Sequence, residues 1–227
     1  MLLIKKIILF FLTFIFSLNV SSGEAEKIYN EGIQYLFGYD VKVNPKKACD
    51  LFEQSANTGY VLAQYNLGHC YVKGKGREVD IDKAKYWYLK AIKQNSSKAR
   101  IALAYLYLFD IGSFNANEVV SLLEDASTDE PQYAYFLLGY VCHKRIKPNC
   151  TDKKAVDYYT QAAYSVNLLS TIMLSYIYEY GIYGVIKDQE KAKEWRENFE
   201  YGASLLGEEG QTYESGVEYL KERGFID

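Results

Sequence analysis

The sequence predicts an all-α protein: a right-handed α-solenoid of about five helix-turn-helix repeats of 35–37 residues with a C-terminal capping helix. Three observations predict it. Segments 63–91 and 134–162 superimpose with the same internal landmarks, and self-similarity at a fixed period of this size marks stacked helix pairs. A helix-start residue recurs five times in the same phase. Only three prolines stand in 227 residues against 23 tyrosines, a balance that favours helices joined by short turns with large amphipathic rings at their contacts.

The first 23 residues stand apart from the array. Lys5 and Lys6 precede an apolar run from Ile7 to Leu18, broken only by Thr13 and Ser17, and the small residues Ser21, Ser22 and Gly23 follow. That is the pattern of a secretory signal peptide. Its 12-residue core is shorter than the roughly 18–20 residues a membrane-spanning helix needs. No cysteine at the cleavage region could take a lipid. A soluble exported chain, periplasmic or secreted, is therefore expected to begin between residues 22 and 25. The other reading is an uncleaved N-terminal anchor, which leaves the array on the same side of the membrane.

Removing a leader that carries Lys5 and Lys6 and no acid leaves 24 basic against 29 acidic residues, a net charge of −5. With no basic stripe or Lys/Arg run, nucleic acid and an anionic membrane surface are excluded as partners, and protein or peptide partners remain.

In the first helix of each repeat a large apolar residue precedes a very small one: Leu67-Gly68, Leu103-Ala104, Leu138-Gly139 and Leu174-Ser175, with Gly32 marking the opening unit. A small side chain at this place lets a neighbouring helix backbone approach closely. Tyr35, Tyr71, Tyr107 and Tyr178 follow three residues later on the same face, and Cys142 takes that position in the fourth unit. The second helix starts at Asn44, Asp80, Asn115, Thr151 and Asp188, all good N-caps, each accepting from otherwise unpaired N–H groups of the first turn. Pro45 follows Asn44 at the first helical position, where its missing donor costs nothing. A buried stripe is then expected from Ala48, Ala84, Val119, Ala155 and Ala192 with Phe52, Trp87, Leu122, Tyr158 and Trp195.

The second unit reads Ala-x3-Leu-Gly-x2-Tyr-x2-Gly-Lys-Gly and then Asp80-x2-Lys83-Ala84-x2-Trp87-Tyr88-x-Lys90-Ala91. This resembles the Sel-1-like repeat, a branch of the tetratricopeptide superfamily. The resemblance covers residues 25–204 and is weakest in the third unit, where the Lys-Ala pair becomes Glu118-Val119; the first unit departs at Glu31. It implies a repeat array over residues 24–204, with units 25–60, 61–96, 97–132, 133–167 and 168–204. After Ser204 the landmarks stop. Residues 205–227 read as one capping helix carrying Tyr213, Val217, Tyr219 and Leu220, with Glu214, Glu218, Lys221 and Glu222 toward water.

Chemistry is sparse. The two histidines give His69-Cys70 and Cys142-His143, which lack the paired short spacing of a zinc site, and adjacent helical residues point about 100° apart, too far to act as a nucleophilic pair. No metal, cofactor or catalytic residue is assigned. The stretch Gly74-Lys75-Gly76 reads as the turn between two helices, since it has neither the phosphate-loop spacing nor a preceding strand. Asn95-Ser96-Ser97 and Asn149-Cys150-Thr151 are glycosylation sequons that matter only in a eukaryotic source.

All four cysteines lie beyond the leader, and an even count in an oxidising compartment reads as disulfides. Cys49 lies ten residues before a turn near Gly59 and Cys70 eleven after it, so antiparallel helices bring them level. Cys142 and Cys150 flank a turn near Ile146 in the same way. Four buried free thiols are the alternative.

Stacked helix pairs make an extended concave surface, so the expected function is a non-catalytic scaffold or adaptor that binds a protein or peptide outside the cytoplasm. A monomer is expected. The resemblance adds that such arrays act as adaptors, and aligning on the Leu-Gly landmark carries over the ligand-facing positions Tyr65, His69, Tyr105, Phe109, Tyr133, Phe136, Tyr140, Tyr176 and Tyr180. These rings form a groove for a peptide, or else they pack between adjacent first helices. Two other functions stay open: hydrolysis of a cell-wall or β-lactam bond, as attributed to some cysteine-rich relatives, although no Ser-x2-Lys is present, and a structural envelope spacer.

Overall fold

The structure is a computed structural model and describes residues 22–109, 114–207 and 212–226. Most of the expected signal peptide, residues 1–21, lies outside the described residues. Among the described residues there are eleven α-helices and no strand. Two compact units are present, Met1–Ala99 and Arg100–Asp227. This division cuts across the five-unit reading, with the boundary inside the third repeat.

In the first unit α1 (Ser22–Phe37) pairs with α2 (Pro45–Asn57), α3 (Val61–Lys73) pairs with α4 (Ile81–Ile92), and α2 packs on α3. The third repeat supplies α5 (Ser97–Phe109), whose first turn holds the unit boundary, and α6 (Ala116–Ala126). In the second unit α7 (Pro131–His143) pairs with α8 (Asp152–Tyr164) and α9 (Leu168–Tyr180) with α10 (Gln189–Leu205). Here α6 also packs on α7, and α8 on α9. Finally α11 (Tyr213–Glu222) lies against α9 and α10.

Each second helix is started by the residue expected. The side chains of Asn44, Asp80, Thr151 and Asp188 accept from the N–H of Lys47, Lys83, Lys154 and Lys191 at 2.9–3.2 Å, and Asn115 accepts from Asn117 at 2.9 Å. The residue three past the cap also meets the tyrosine that ends the first helix. Lys47 donates to Tyr35 Oη at 2.6 Å, Tyr107 Oη donates to Glu118 at 3.2 Å, and the Lys83 and Lys191 ammonium groups lie over the rings of Tyr71 and Tyr178. One residue thus closes a helix start and clasps its partner helix.

The small residue of the first helix makes room chiefly for a side chain of the second helix. A Cβ at Gly32, Gly68 or Gly139 would fall 2.4–2.7 Å from a ring carbon of Phe52, Tyr88 or Tyr159, so it makes room first for an aromatic side chain of the second helix, and at Gly32 the Ala48 carbonyl of that helix is close as well, at 3.3 Å. The stripe of the second helix is correspondingly shifted. Tyr88, Leu123 and Tyr159 are fully enclosed, whereas Leu122, Tyr158 and Trp195 are only half-buried. The reason is geometric: a side chain four residues past the small cap-proximal residue stacks one turn above it, while three residues past it swings toward the edge of the face. Phe52 already obeyed this spacing from Ala48; Trp87, at the other spacing, is buried as well.

Turns close the pairs. Gly74 ends α3 in the left-handed conformation, and Gly76, at φ 85°, lies so near the backbone of Pro45 and Lys46 that a Cβ would stand 2.5 Å from it; only glycine fits. Arg77 follows, donating to Tyr71 Oη at 2.9 Å and pairing with Asp50 and Glu53 at 3.4 Å. Cys49 and Cys70 are bonded, joining α2 to α3 with Cα atoms 6.0 Å apart. Cys142 and Cys150 are bonded across the turn that follows α7, at 4.7 Å.

The last repeat changes its packing chemistry. Ser175 stands where the others have glycine or alanine, and Arg196 stands where they have a ring or leucine. Arg196 Nε donates to Ser175 Oγ at 3.3 Å and its guanidinium pairs with Glu179. Tyr213 of α11 then donates to Ser175 Oγ at 3.0 Å and lays its ring beside Arg196, while Gly216 of α11 sits against Ile172 of α9. A terminal repeat must cover its apolar face, and here a polar knot fixes the cover in place.

Candidate binding face

The nine positions carried over from the superfamily fall, relative to the Leu landmark of each repeat, within an arc of about 80° on the first helix, on the side away from that leucine. Their surroundings differ. In the first unit Tyr65 and His69 meet edge to face at 4.6 Å, and His69 lies 5.6 Å from the enclosed ring of Tyr88. In the second, Tyr105 and Phe109 pair at 4.5 Å, Phe109 touches Tyr140 at 5.1 Å, and Tyr176 pairs with Tyr180 at 4.5 Å. Tyr133 and Tyr180 are 52% and 57% exposed, but Phe136 is buried.

What buries Phe136 was absent from the expected site. Phe225, beyond the end of α11, sits 5.0 Å from Phe136, 4.6 Å from Tyr140 and 5.3 Å from Phe109, ring centre to ring centre. Phe225 and Ile226 are both buried. The signal in the sequence was an aromatic-aliphatic pair directly after Gly224, where an amphipathic helix ends.

Burial among these rings, with Lys73 nearby as a second cause, lowers the pKa of His69 from 6.5 to about 4. The folded chain therefore refuses a proton that the unfolded chain accepts between pH 6.5 and about 4, so stability is full above that window and falls as pH drops through it. By linkage the loss at pH 4.5 is on the order of 2 kcal/mol. Urea midpoints at pH 7 and pH 4.5 should show that His69→Gln loses about 2 kcal/mol less than the parent, both sharing the same carboxylate titration. Equal losses would contradict this placement of His69.

His143 at the end of α7 is held from both sides: Nδ1 lies 3.2 Å from Tyr159 Oη, and Nε2 meets Tyr183 Oη. Burial raises the Tyr159 hydroxyl well above its usual pKa, so at neutral pH it stays protonated. The sulfurs of Cys70 and Cys142, the chain neighbours of the two histidines, are in disulfides and offer neither a thiolate ligand nor a nucleophile. Among the described residues no three His, Cys, Asp or Glu side chains come together as a metal set, and no helix is long and apolar enough to cross a membrane.

The Sel1 repeat model matches residues 29–60, 61–96, 132–166 and 169–195, more than half of the chain. The chain belongs to the Sel1 repeat family. The match passes over the third repeat, where Glu118-Val119 replaces the Lys-Ala pair, yet α5 and α6 form there with Ala104 and Leu123 fully buried. A crystal structure of a Sel1 repeat protein from Oxalobacter formigenes is 26% identical, with a TM-score of 0.66 over 78% of this chain and 73% of that one. A putative Sel1 repeat protein from Klebsiella pneumoniae, 18% identical, shares the fold with a TM-score of 0.55 over 89% and 94% of the two chains. Among curated relatives, chitin synthase regulatory factor 3 of Schizosaccharomyces pombe is 27% identical over 62% of this chain. DAP3-binding cell death enhancer 1 of Rattus norvegicus is 34% identical over 60%. This Sel1 repeat chain spans between 15% and 30% of the length of the curated relatives it matches. Sel1 repeat proteins are in general protein-interaction scaffolds.

Proposed function

We propose that this chain is a non-catalytic adaptor, exported from the cytoplasm, that binds a protein or peptide segment on the face formed by the first helices of its repeats. The observation that carries the reading is the ring stripe: Tyr133 and Tyr180 stand more than half exposed on the side of α7 and α9 away from the landmark leucines, flanked by Tyr140 and Tyr176. Exposed amphipathic rings on rigid helices are what a peptide-binding groove uses. Export is supported by the apolar leader and by two disulfides, which persist in oxidising compartments. Against hydrolysis, both histidines are committed to tyrosine contacts and all four sulfurs to disulfides, so no activated nucleophile is formed from them.

The structure changes which residues should test this. Tyr140 packs on Phe225, so its truncation would disturb folding and binding together. Tyr133→Ala with Tyr180→Ala removes two exposed rings, each expected to change stability by no more than about 0.5 kcal/mol. Crosslinking in the native compartment should show partner capture reduced about tenfold or more at an unchanged melting temperature, the mark of a surface hot spot. Full capture by the folded double variant would sink the reading.

A further inference from the structure

The site that Phe225 fills is built from ligand-facing positions. Tyr105 and Phe109 come from α5, one turn apart, and Phe136 and Tyr140 come from α7, one turn apart. Three of these rings touch Phe225, and Phe109 and Tyr140 keep part of their surface open to water. The tail reaches them by leaving the helix. Gly224 takes a left-handed conformation, and the Phe225 N–H donates back to the Leu220 carbonyl at 2.8 Å, which turns the last residues out of the helical path.

The helix before the turn has anchors of its own. Leu220 is fully buried, Tyr213 bonds Ser175, Gly216 fits against Ile172, and Thr212 caps the first turn through Ser215. The contacts of Tyr213, Gly216 and Thr212 do not involve Phe225. The covering of the last repeat by Tyr213 and Gly216 is therefore distinct from the filling of the ring face, which is made by the residue after the left-handed Gly224.

We propose that the ring face of α5 and α7 is a receptor for a peptide segment carrying an aromatic residue, and that Phe225 occupies it as a displaceable intramolecular ligand. The proposal rests on the adaptor reading above and adds to it the chemistry of the partner segment and a built-in competitor. A docked tail lowers apparent affinity in proportion to the fraction of molecules whose face is free. A partner segment must outcompete it, and segments without an aromatic residue are rejected.

The test uses the full chain and a fluorescein-labelled synthetic peptide with the sequence of residues 219–227. In fluorescence anisotropy, Phe225→Ala should bind the peptide about tenfold or more tighter than the parent chain. The gain should vanish when the peptide's own phenylalanine is alanine. It should also vanish when Tyr140→Ala is added to the protein, with the helical spectrum and melting temperature of Phe225→Ala retained. If Phe225→Ala does not fold alone, saturating peptide must restore its helical spectrum and cooperative melt. Peptide binding equal for the two proteins, no binding to either, or an unfolded variant that the peptide does not restore overturns the proposal. So does dimerisation of the parent chain that depends on Phe225, which assigns the face to the tail of a second copy. The adaptor reading stands or falls separately, because Tyr133 and Tyr180 are not among the rings that contact Phe225.

Discussion

Replacing Tyr159 with alanine is expected to cost about 3–5 kcal/mol of stability, because a fully enclosed ring leaves a cavity that rigid helices cannot close. The ring lies in the slot opened by Gly139, and its hydroxyl stands 3.2 Å from His143 Nδ1, so truncation also removes a polar contact of that histidine. Tyr158, one residue earlier and half-buried against Tyr135 at 6.0 Å, should cost less than half as much. Urea unfolding of the two variants side by side reads the register of the second helix directly. A larger loss at Tyr158 would restore the stripe expected from the sequence and contradict the observed packing.

Removing the Cys49–Cys70 bond by alanine at both positions is expected to cost about 3 kcal/mol, from the entropy a 21-residue loop regains in the unfolded chain. The shorter Cys142–Cys150 loop, at 8 residues, gives about 2.5 kcal/mol on the same basis. Both cysteines of the first bond are buried at the α2–α3 junction, the contact that joins two repeats rather than two helices of one repeat. Its loss should therefore loosen repeat stacking before it loosens either hairpin. Non-reducing peptide mapping of exported protein should find these two bonds. A Cys70–Cys142 link would contradict the helix arrangement.

Helix starts and pairing were legible because their cause is local. Asn44, Asp80, Asn115, Thr151 and Asp188 satisfy N–H groups two or three residues away, and no distant contact is needed to predict them. The packing register was only partly legible. It depends on which neighbour fills the space above a glycine, and Trp87 and Tyr88 are adjacent rings that composition cannot separate. A side-by-side reading of repeats holds the missing signal: glycine pairs with a ring at Gly32, Gly68 and Gly139, Ala104 aligns with Leu123, and Ser175 with Arg196. The small and large positions vary together because they share one volume.

The side of each first helix that carries the ring positions was legible, since helical spacing alone sets it. Its occupancy was not. Phe225 lies outside the repeat, follows a left-handed turn, and reaches residues about 85–115 positions earlier in the chain, so no local pattern marks it. The low affinity of His69 for protons is likewise a product first of its burial in the folded chain and second of Lys73, and burial is not a local property of the sequence.

The proposed binding face lies on the first helices, so other exposed aromatic surfaces should be dispensable for partner capture. Tyr164 and Tyr201 offer the comparison, for they are 78% and 67% exposed on the second helices α8 and α10. Partner capture should be measured in the native compartment for Tyr133→Ala/Tyr180→Ala and Tyr164→Ala/Tyr201→Ala, both at parental melting temperature. Loss of capture by the first pair with full capture by the second is the result predicted; loss by the second pair alone would contradict the assignment of the binding face.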